Sequence, residues 1–254
     1  MERDNYERAA ELVHKCHRAV ALTGAGISTP SGIADFRSPS TGLWSKVDPA
    51  RVASIQSFMR DPSVFYEWFG STAGPMYSAE PNPAHLALAE LENQGILRAV
   101  VTQNIDGLHR KAGSQRVLEV HGNTRTASCT RCRKRVEAQP LLERYRREGT
   151  IPRCPQCSGA VKPDVVLFGE SLPFEVLMEA REEIAHCDLL LIIGSSLTVV
   201  PAADLPRLAI QANAPMIICN RDPTWADPYA TFIFREDVAQ SVPALVSPQE
   251  GNCM

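Results

Sequence analysis

The chain lacks any apolar stretch long enough to cross a bilayer. A membrane helix needs about 18 or more such residues, and the longest run here is the pentapeptide LLLII at 189–193. The opening MERDNYERAA lacks the apolar core of a secretion signal, so a cytoplasmic protein without a membrane partner is expected. Charge of one sign is not in excess either. Formal net charge is -3, too little for a global field that draws the molecule to nucleic acid, and no direct nucleic-acid binding is expected. The full GxGxxG fingerprint is missing, as is a clearly placed acidic residue about 20 positions further on. Both count against hydride transfer. Internal repeats and low-complexity tracts are also absent.

Cysteine is not scarce, but its spacing is not that of a disulfide framework. Of eight cysteines, Cys129, Cys132, Cys154 and Cys157 follow C-x2-C-x21-C-x2-C. Each CxxC turn offers two thiolates, and two such turns complete a tetrahedral sulfur shell around zinc. Four sulfurs leave no position for water, so the expected ion is structural. Cys16, Cys187 and Cys219 are expected to be buried packing residues. Arg125, Arg131, Arg133, Lys134 and Arg135 cluster near the first knuckle and read as a solvated face.

Buried-strand candidates occupy residues 18–23, 97–102, 116–120, 165–168, 189–193, 216–219 and 231–234. Helical patterns fall at 6–16, capped by Asp4 or Asn5, and at 85–92, 173–185 and 203–211. Strands that alternate with helices predict an α/β fold with a mostly parallel sheet covered on both faces. Two stretches interrupt the rhythm. Residues 38–80 carry Pro39, Pro49, Pro62 and Pro75 with SVFYEWF and read as a helical insert. Residues 125–159 hold the cysteine pairs. The expected organisation is a large domain of 1–37, 81–124 and 160–254, with 38–80 and 125–159 forming a smaller one around a ligand cleft.

In parallel sheets, ligand-binding residues collect where strands end. Gly24-Ala25-Gly26-Ile27-Ser28 follows the first strand, where glycines allow backbone N–H groups to approach a pyrophosphate. A turn of this kind is also common without any ligand. Gln103, Asn104 and Asp106 follow the second strand, costly residues to bury unpaired, and either a polar loop or a hydrogen-bonding site. His121 follows the third, where a histidine serves as a structural hydrogen-bonder or as a general base. Gly194-Ser195-Ser196 and Asn220-Arg221-Asp222 end two later strands and suit an adenosine.

Together GAGISTPSGIADFRS (24–38), TQNIDGLH (102–109), HG (121–122), the two CxxC pairs, KPDVVLFGE (162–170), GSSLTVVPAA (194–203) and NRD (220–222) resemble the sirtuin family in order and content. The resemblance implies a Rossmann-like large domain, a small domain of zinc module plus helical insert, and NAD-dependent deacylation, mainly deacetylation, of protein lysine. NAD serves as co-substrate, and nicotinamide and O-acyl-ADP-ribose are released. It further implies that Ala25, Thr29, Phe36 and Arg37 line the NAD loop. Gln103 and Asn104 hold the nicotinamide ribose and a water, with Asn104 counted among the catalytic residues. Ile105 and Asp106 bind the carboxamide, and His121 is the base. Ser195, Ser196, Asn220, Arg221 and Val238 surround adenosine. Val166, Leu167, Phe168, Gly169 and Glu170 on one side, and Leu197, Thr198 and Val199 on the other, pair with an acylated peptide.

Ala34 replaces the proline common in GIPDFR, a small loss of loop rigidity. A desuccinylating subclass carries Tyr-x-x-Arg in the insert. Phe69 and Thr72 stand there instead, so neutral acyl groups are expected. Two rival readings remain: mono-ADP-ribosyl transfer to protein, and a non-catalytic zinc-dependent binding module.

Overall fold

The computed structural model describes residues 2–35, 42–45, 47–72 and 74–246. Its strands are β1 Ala19–Thr23, β2 Leu97–Thr102, β3 Val117–Glu119, β4 Gly122–Cys129, β5 Arg135–Glu137, β6 Val161–Val165, β7 Leu189–Ile193, β8 Met216–Cys219 and β9 Phe232–Phe234. Its helices are α1 Glu2–Lys15, α2 Pro49–Val52, α3 Ile55–Arg60, α4 Pro62–Thr72, α5 Gly74–Ser78, α6 Pro83–Asn93, α7 Leu108–Lys111, α8 Gln139–Glu148, α9 Phe174–Ala185, α10 Pro206–Gln211 and α11 Val238–Val246. None of them is long and apolar enough to cross a membrane.

Six parallel strands form one sheet in the order β3-β2-β1-β7-β8-β9. Both faces are covered, which explains the unbroken apolar runs. In β7, Leu189, Leu191 and Ile193 face a core shared with α1, α6 and α11, while Leu190 and Ile192 face one shared with α9 and α10. In β2 the parity breaks, with Leu97 on the first side and Ala99 and Val101 on the second. A bulge is the cause: Ala19 pairs with Leu97 and Val20 with Ala99, leaving Arg98 as the extra residue.

A second, antiparallel sheet has the order β5-β4-β6. Phe58, Phe65, Tyr66 and Phe69 of the insert share a core with Ala127, Leu142, Cys154 and Val161. Tyr66 Oη also donates to the Val161 carbonyl at 2.5 Å. Insert and cysteine ribbon therefore bury their apolar faces against each other.

Several local expectations shift. α1 starts at Glu2, so Asp4 and Asn5 lie inside it and cap nothing. The small sheet takes β4 from Gly122 and β6 to Val165, beyond the 125–159 limits expected for the ribbon. The strand expected at 165–168 falls earlier, because Phe168 leaves the sheet to exchange backbone bonds with Ala53 and Ile55 of the insert. The helix expected at 203–211 is a 3-10 turn at Ala202–Asp204 followed by α10, with Pro206 at the new start.

Candidate active site

All six parallel strands end on one cleft of about 660 Å³. Gly24, Ala25, Gly26 and Thr29 come from the turn after β1, Gln103 and Asn104 from beyond β2, and His121 from beyond β3. Gly194, Ser195, Ser196, Thr198 and Val199 follow β7, Asn220, Arg221 and Asp222 follow β8, and Val238 follows β9. β1 has β2 on one side and β7 on the other, so the chain order reverses beside it, the position where open α/β sheets hold ligands.

The floor is built by close backbone contact. Gly24 N–H donates to the Ile193 carbonyl at 3.1 Å and Gly26 N–H to the Gly194 carbonyl at 2.8 Å. Gly194 has φ +59, and a Cβ there would stand 2.2 Å from Ile27 N. The glycine turn thus packs on the next strand's turn as well as offering its backbone to the cleft. It continues as a 3-10 helix, Ala25–Ser31.

Behind the wall lies a polar cluster. Asn104 Nδ2 donates to the Gly24 carbonyl and to Ser28 Oγ, both at 3.1 Å. Ser28 Oγ donates to Asp106 Oδ2 at 2.7 Å, and Leu108 N–H donates to Asp106 Oδ1 at 2.9 Å. Burial raises the Asp106 carboxyl above its usual range, against the pull of these two bonds. Ser28 is fully buried, and neither it nor Ile105 nor Asp106 lines the large cleft. Asp106 instead borders a second cavity of about 550 Å³, with Tyr77, Lys111, Thr124 and Arg125.

Gln103 ties three strand ends together. Its N–H donates to the Thr23 carbonyl at 3.0 Å and its Nε2 to Ser195 Oγ at 3.0 Å. Its carbonyl lies 3.0 Å from His121 Nδ1. A carbonyl only accepts, so Nδ1 carries the proton and Nε2 is the basic nitrogen. The His121 carbonyl accepts from Val166 N–H at 2.9 Å. Gly122 follows because a Cβ would stand 1.9 Å from the Asp164 carbonyl oxygen.

The peptide segment is more engaged than a bare strand edge. The N–H groups of Val166, Phe168 and Glu170 bond to His121, Ala53 and Leu167 carbonyls, and that of Leu167 to Glu170 Oε2. Regular pairing through these donors is closed. The Leu167 and Phe168 carbonyls already accept from Glu170 and Ile55 N–H, so Val166, Gly169 and Glu170 hold the carbonyls this segment has left to offer. Across the cleft Leu197 is buried, whereas Thr198 and Val199 line the opening. Phe36 and Arg37 lie outside the described residues.

Pro30, Asp35, Glu236 and Asp237 also line the cleft. They were not singled out from the sequence. The last two follow β9, and the strand-end rule already used for the other strands points to them.

The four ribbon cysteines bring their Sγ atoms within 4.8 Å of one another. Tetrahedral zinc thiolate requires S···S separations of about 3.8 Å, and Cys129–Cys157 and Cys132–Cys154 stand at 3.4 and 3.5 Å. The donor set fits such an ion. The N–H groups of Arg131 and Cys132 point at Cys129 Sγ at 3.4 and 3.5 Å. They pull its thiol down to about 6, the Cys132 N–H most strongly. Cys16, Cys187 and Cys219 are buried, and burial pushes the Cys219 thiol up to about 12. Of the basic cluster, Arg135 pairs with Asp164 and Arg125 with Glu119.

The Sir2 family model matches residues 24–201. The chain is 51% identical to NAD-dependent protein deacylase 2 of Archaeoglobus fulgidus over 89% of its own length and 88% of the relative's. It superimposes with a TM-score of 0.90 on a Sir2 enzyme solved in a study of mechanism and regulation, at 48% identity and 97% coverage of both chains. A Sir2 protein solved with an acetylated peptide matches with a TM-score of 0.85 at 37% identity, covering 93% of this chain and 94% of the other.

Proposed function

This chain belongs to the Sir2 family, and on that footing we propose how it works as an NAD-dependent protein lysine deacylase. One observation carries the proposal: every strand of the parallel sheet delivers a polar or small residue to the same cleft, with His121 beside Gln103 at its edge. NAD supplies an electrophilic ribose C1′ from which nicotinamide leaves as a neutral group. The residues do the rest.

The Gly24–Gly26 turn and Thr29 cradle the pyrophosphate. Ser195, Ser196, Asn220, Arg221, Asp222 and Val238 take the adenosine side. Gln103 and Asn104 hold the nicotinamide ribose. Asp106 spends one lone pair per oxygen on Ser28 and Leu108 and keeps others; it and Ile105 lie behind the cleft wall, so the carboxamide N–H2 meets them only where nicotinamide passes beyond the large cleft. The acyl-lysine chain enters between 166–170 and 197–199, and its carbonyl oxygen displaces nicotinamide. His121 Nε2 then takes the proton of a ribose hydroxyl as that hydroxyl attacks the acyl carbon, a role worth about 10²–10⁴ in rate. Water completes release of lysine and O-acyl-ADP-ribose.

The acyl group is neutral in this reading. Phe69 is buried and stacks on Phe65 at 5.1 Å, while Thr72 Oγ1 donates to the Trp68 carbonyl. Neither position offers a cation to an acyl carboxylate. The ribbon holds one structural zinc through Cys129, Cys132, Cys154 and Cys157, which fixes the knuckles and carries no step of the reaction.

Mass spectrometry of products from NAD and an acetyl-lysine peptide tests this. Nicotinamide, free lysine peptide and O-acetyl-ADP-ribose are expected from the wild type, and no turnover from a folded His121→Ala variant. ADP-ribosylated protein in place of acetyl-ADP-ribose supports mono-ADP-ribosyl transfer instead. Near-native turnover by the variant removes His121 from the chemistry.

A further inference from the structure

Two histidines lie behind the cleft without a part in this chemistry. His85 and His109 are 0% and 2% exposed, with ring centroids 4.9 Å apart. Their bonds fix where their protons sit. His109 Nε2 lies 2.9 Å from Thr23 Oγ1, and that hydroxyl donates to Thr102 Oγ1 at 2.8 Å. A hydroxyl has a single proton to give. Thr23 therefore accepts from His109, so Nε2 bears the ring proton and Nδ1 is bare. Thr102 Oγ1 also accepts the Asn104 N–H at 3.1 Å.

His85 completes the other half. Its Nδ1 accepts the Asn82 N–H at 3.3 Å, which leaves its own proton on Nε2. Asn82 Nδ2 donates to the Ile27 carbonyl at 2.7 Å and to Ser31 Oγ at 3.0 Å, both in the turn after β1. His85 Nε2 and His109 Nδ1 have no hydrogen-bond partner among the described residues. One is a donor and the other an acceptor, in adjacent rings. Burial holds both rings neutral, so neither places a charge beneath the cleft.

We propose that His109 is a positioning residue for Asn104: its Nε2–H bond to Thr23 orients the Thr102 hydroxyl that holds the Asn104 backbone, and so fixes the Asn104 amide against Gly24 and Ser28. Asn104 has left β2, so its N–H has no ladder partner and depends on this hydroxyl. Without His109 the Thr23 hydroxyl loses the donor that sets its rotamer, and the Thr102 hydroxyl loses its fixed neighbour. His85 and Asn82 carry the same framework to the 25–31 turn, so both walls of the cleft share one buried support. The role rests on the reading of the cleft as the NAD site.

Two substitutions separate positioning from packing. In His109→Gln the amide N–H2 stands near the former Nε2, within reach of Thr23. In His109→Asn the amide stands near the former Nδ1 and falls short. Both leave a neutral polar side chain in the same buried place, so a purely structural loss strikes both alike. With NAD and an acetyl-lysine peptide, His109→Asn should lower kcat about tenfold with little change in peptide KM, the worth of one oriented hydrogen bond. His109→Gln should recover most of that loss.

Equal kcat in the two variants, with the wild type active, overturns this role alone. A wild type that binds no NAD removes the cleft reading and this role with it. Ring-nitrogen chemical shifts of the wild type give a test without turnover or variants. A neutral Nε2–H tautomer for His109 supports the proposal, and a proton on Nδ1 overturns it.

Discussion

Gly194→Ala should be among the most damaging single-methyl additions in the protein. Gly194 has φ +59, a region that costs an L-residue about 1–2 kcal/mol. The added Cβ would also stand 2.2 Å from Ile27 N and 2.4 Å from Gly26 C. Those are backbone atoms, which cannot rotate aside as a side chain can. Overpacking of this kind costs about 1–3 kcal/mol, so the total should be about 2–5 kcal/mol. Relief requires the 25–31 turn to lift off β7, which stretches the Gly26 N–H bond to the Gly194 carbonyl. Gly32→Ala is the control. Gly32 has φ +82 but nothing within 4 Å of an added Cβ, so only the backbone cost of about 1–2 kcal/mol applies. Urea unfolding measures both variants, and calorimetry measures their NAD affinity. Gly194→Ala should lose stability beyond the control and at least about tenfold in NAD affinity. Equal stability of the two variants, with native NAD binding in both, would refute the packing of the glycine turn on Gly194.

Three further outcomes follow from the same structure. Freshly purified reduced protein should hold about one zinc per chain, and a strong chelator should melt the β4–β6 ribbon while the parallel sheet persists; metal analysis with circular dichroism reads both. A panel of acylated peptides should be turned over as acetyl and other neutral acyl forms. Because Phe69 and Thr72 supply no cation, succinyl-lysine turnover above that of acetyl-lysine contradicts the acyl assignment. Acid should destabilise the fold below about pH 6.5, where His85 stays neutral down to about 4 in the native state but protonates on unfolding. The unfolded chain then binds more protons, so stability falls with falling pH by about 1.4 kcal/mol per unit for each such histidine. Urea midpoints from pH 7 to 5 should fall less steeply in His85→Gln, where His109 alone keeps its share.

The sheet was legible because β1, β2, β7 and β8 are buried on both faces and read as apolar runs, and the strand-end rule then located most of the cleft. The CxxC spacing was equally plain, since only sulfur ligands repeat that way. β4 was not legible: GNTRTASC alternates small and polar residues that pack on a ribbon. The Arg98 bulge left no local mark, because parity is visible only once the partner strand is known. Asp106 reads from the sequence as a polar residue in need of partners, whereas Ser28 reads only as part of the glycine turn. That Ser28 faces Asp106 and not the large cleft depends on the 3-10 turn after Gly24, which has no sequence periodicity of its own. His85 and His109 stand 24 positions apart in sequence and pair only through the packing of α6 on α7.

The cleft should break the nicotinamide–ribose bond of NAD only when an acyl-lysine side chain lies opposite. Nicotinamide release from NAD, followed with and without an acetyl-lysine peptide, measures this directly. Release should rise with peptide and match the lysine freed one for one. Release at the same rate without peptide, or none with any acylated peptide, would contradict this coupling.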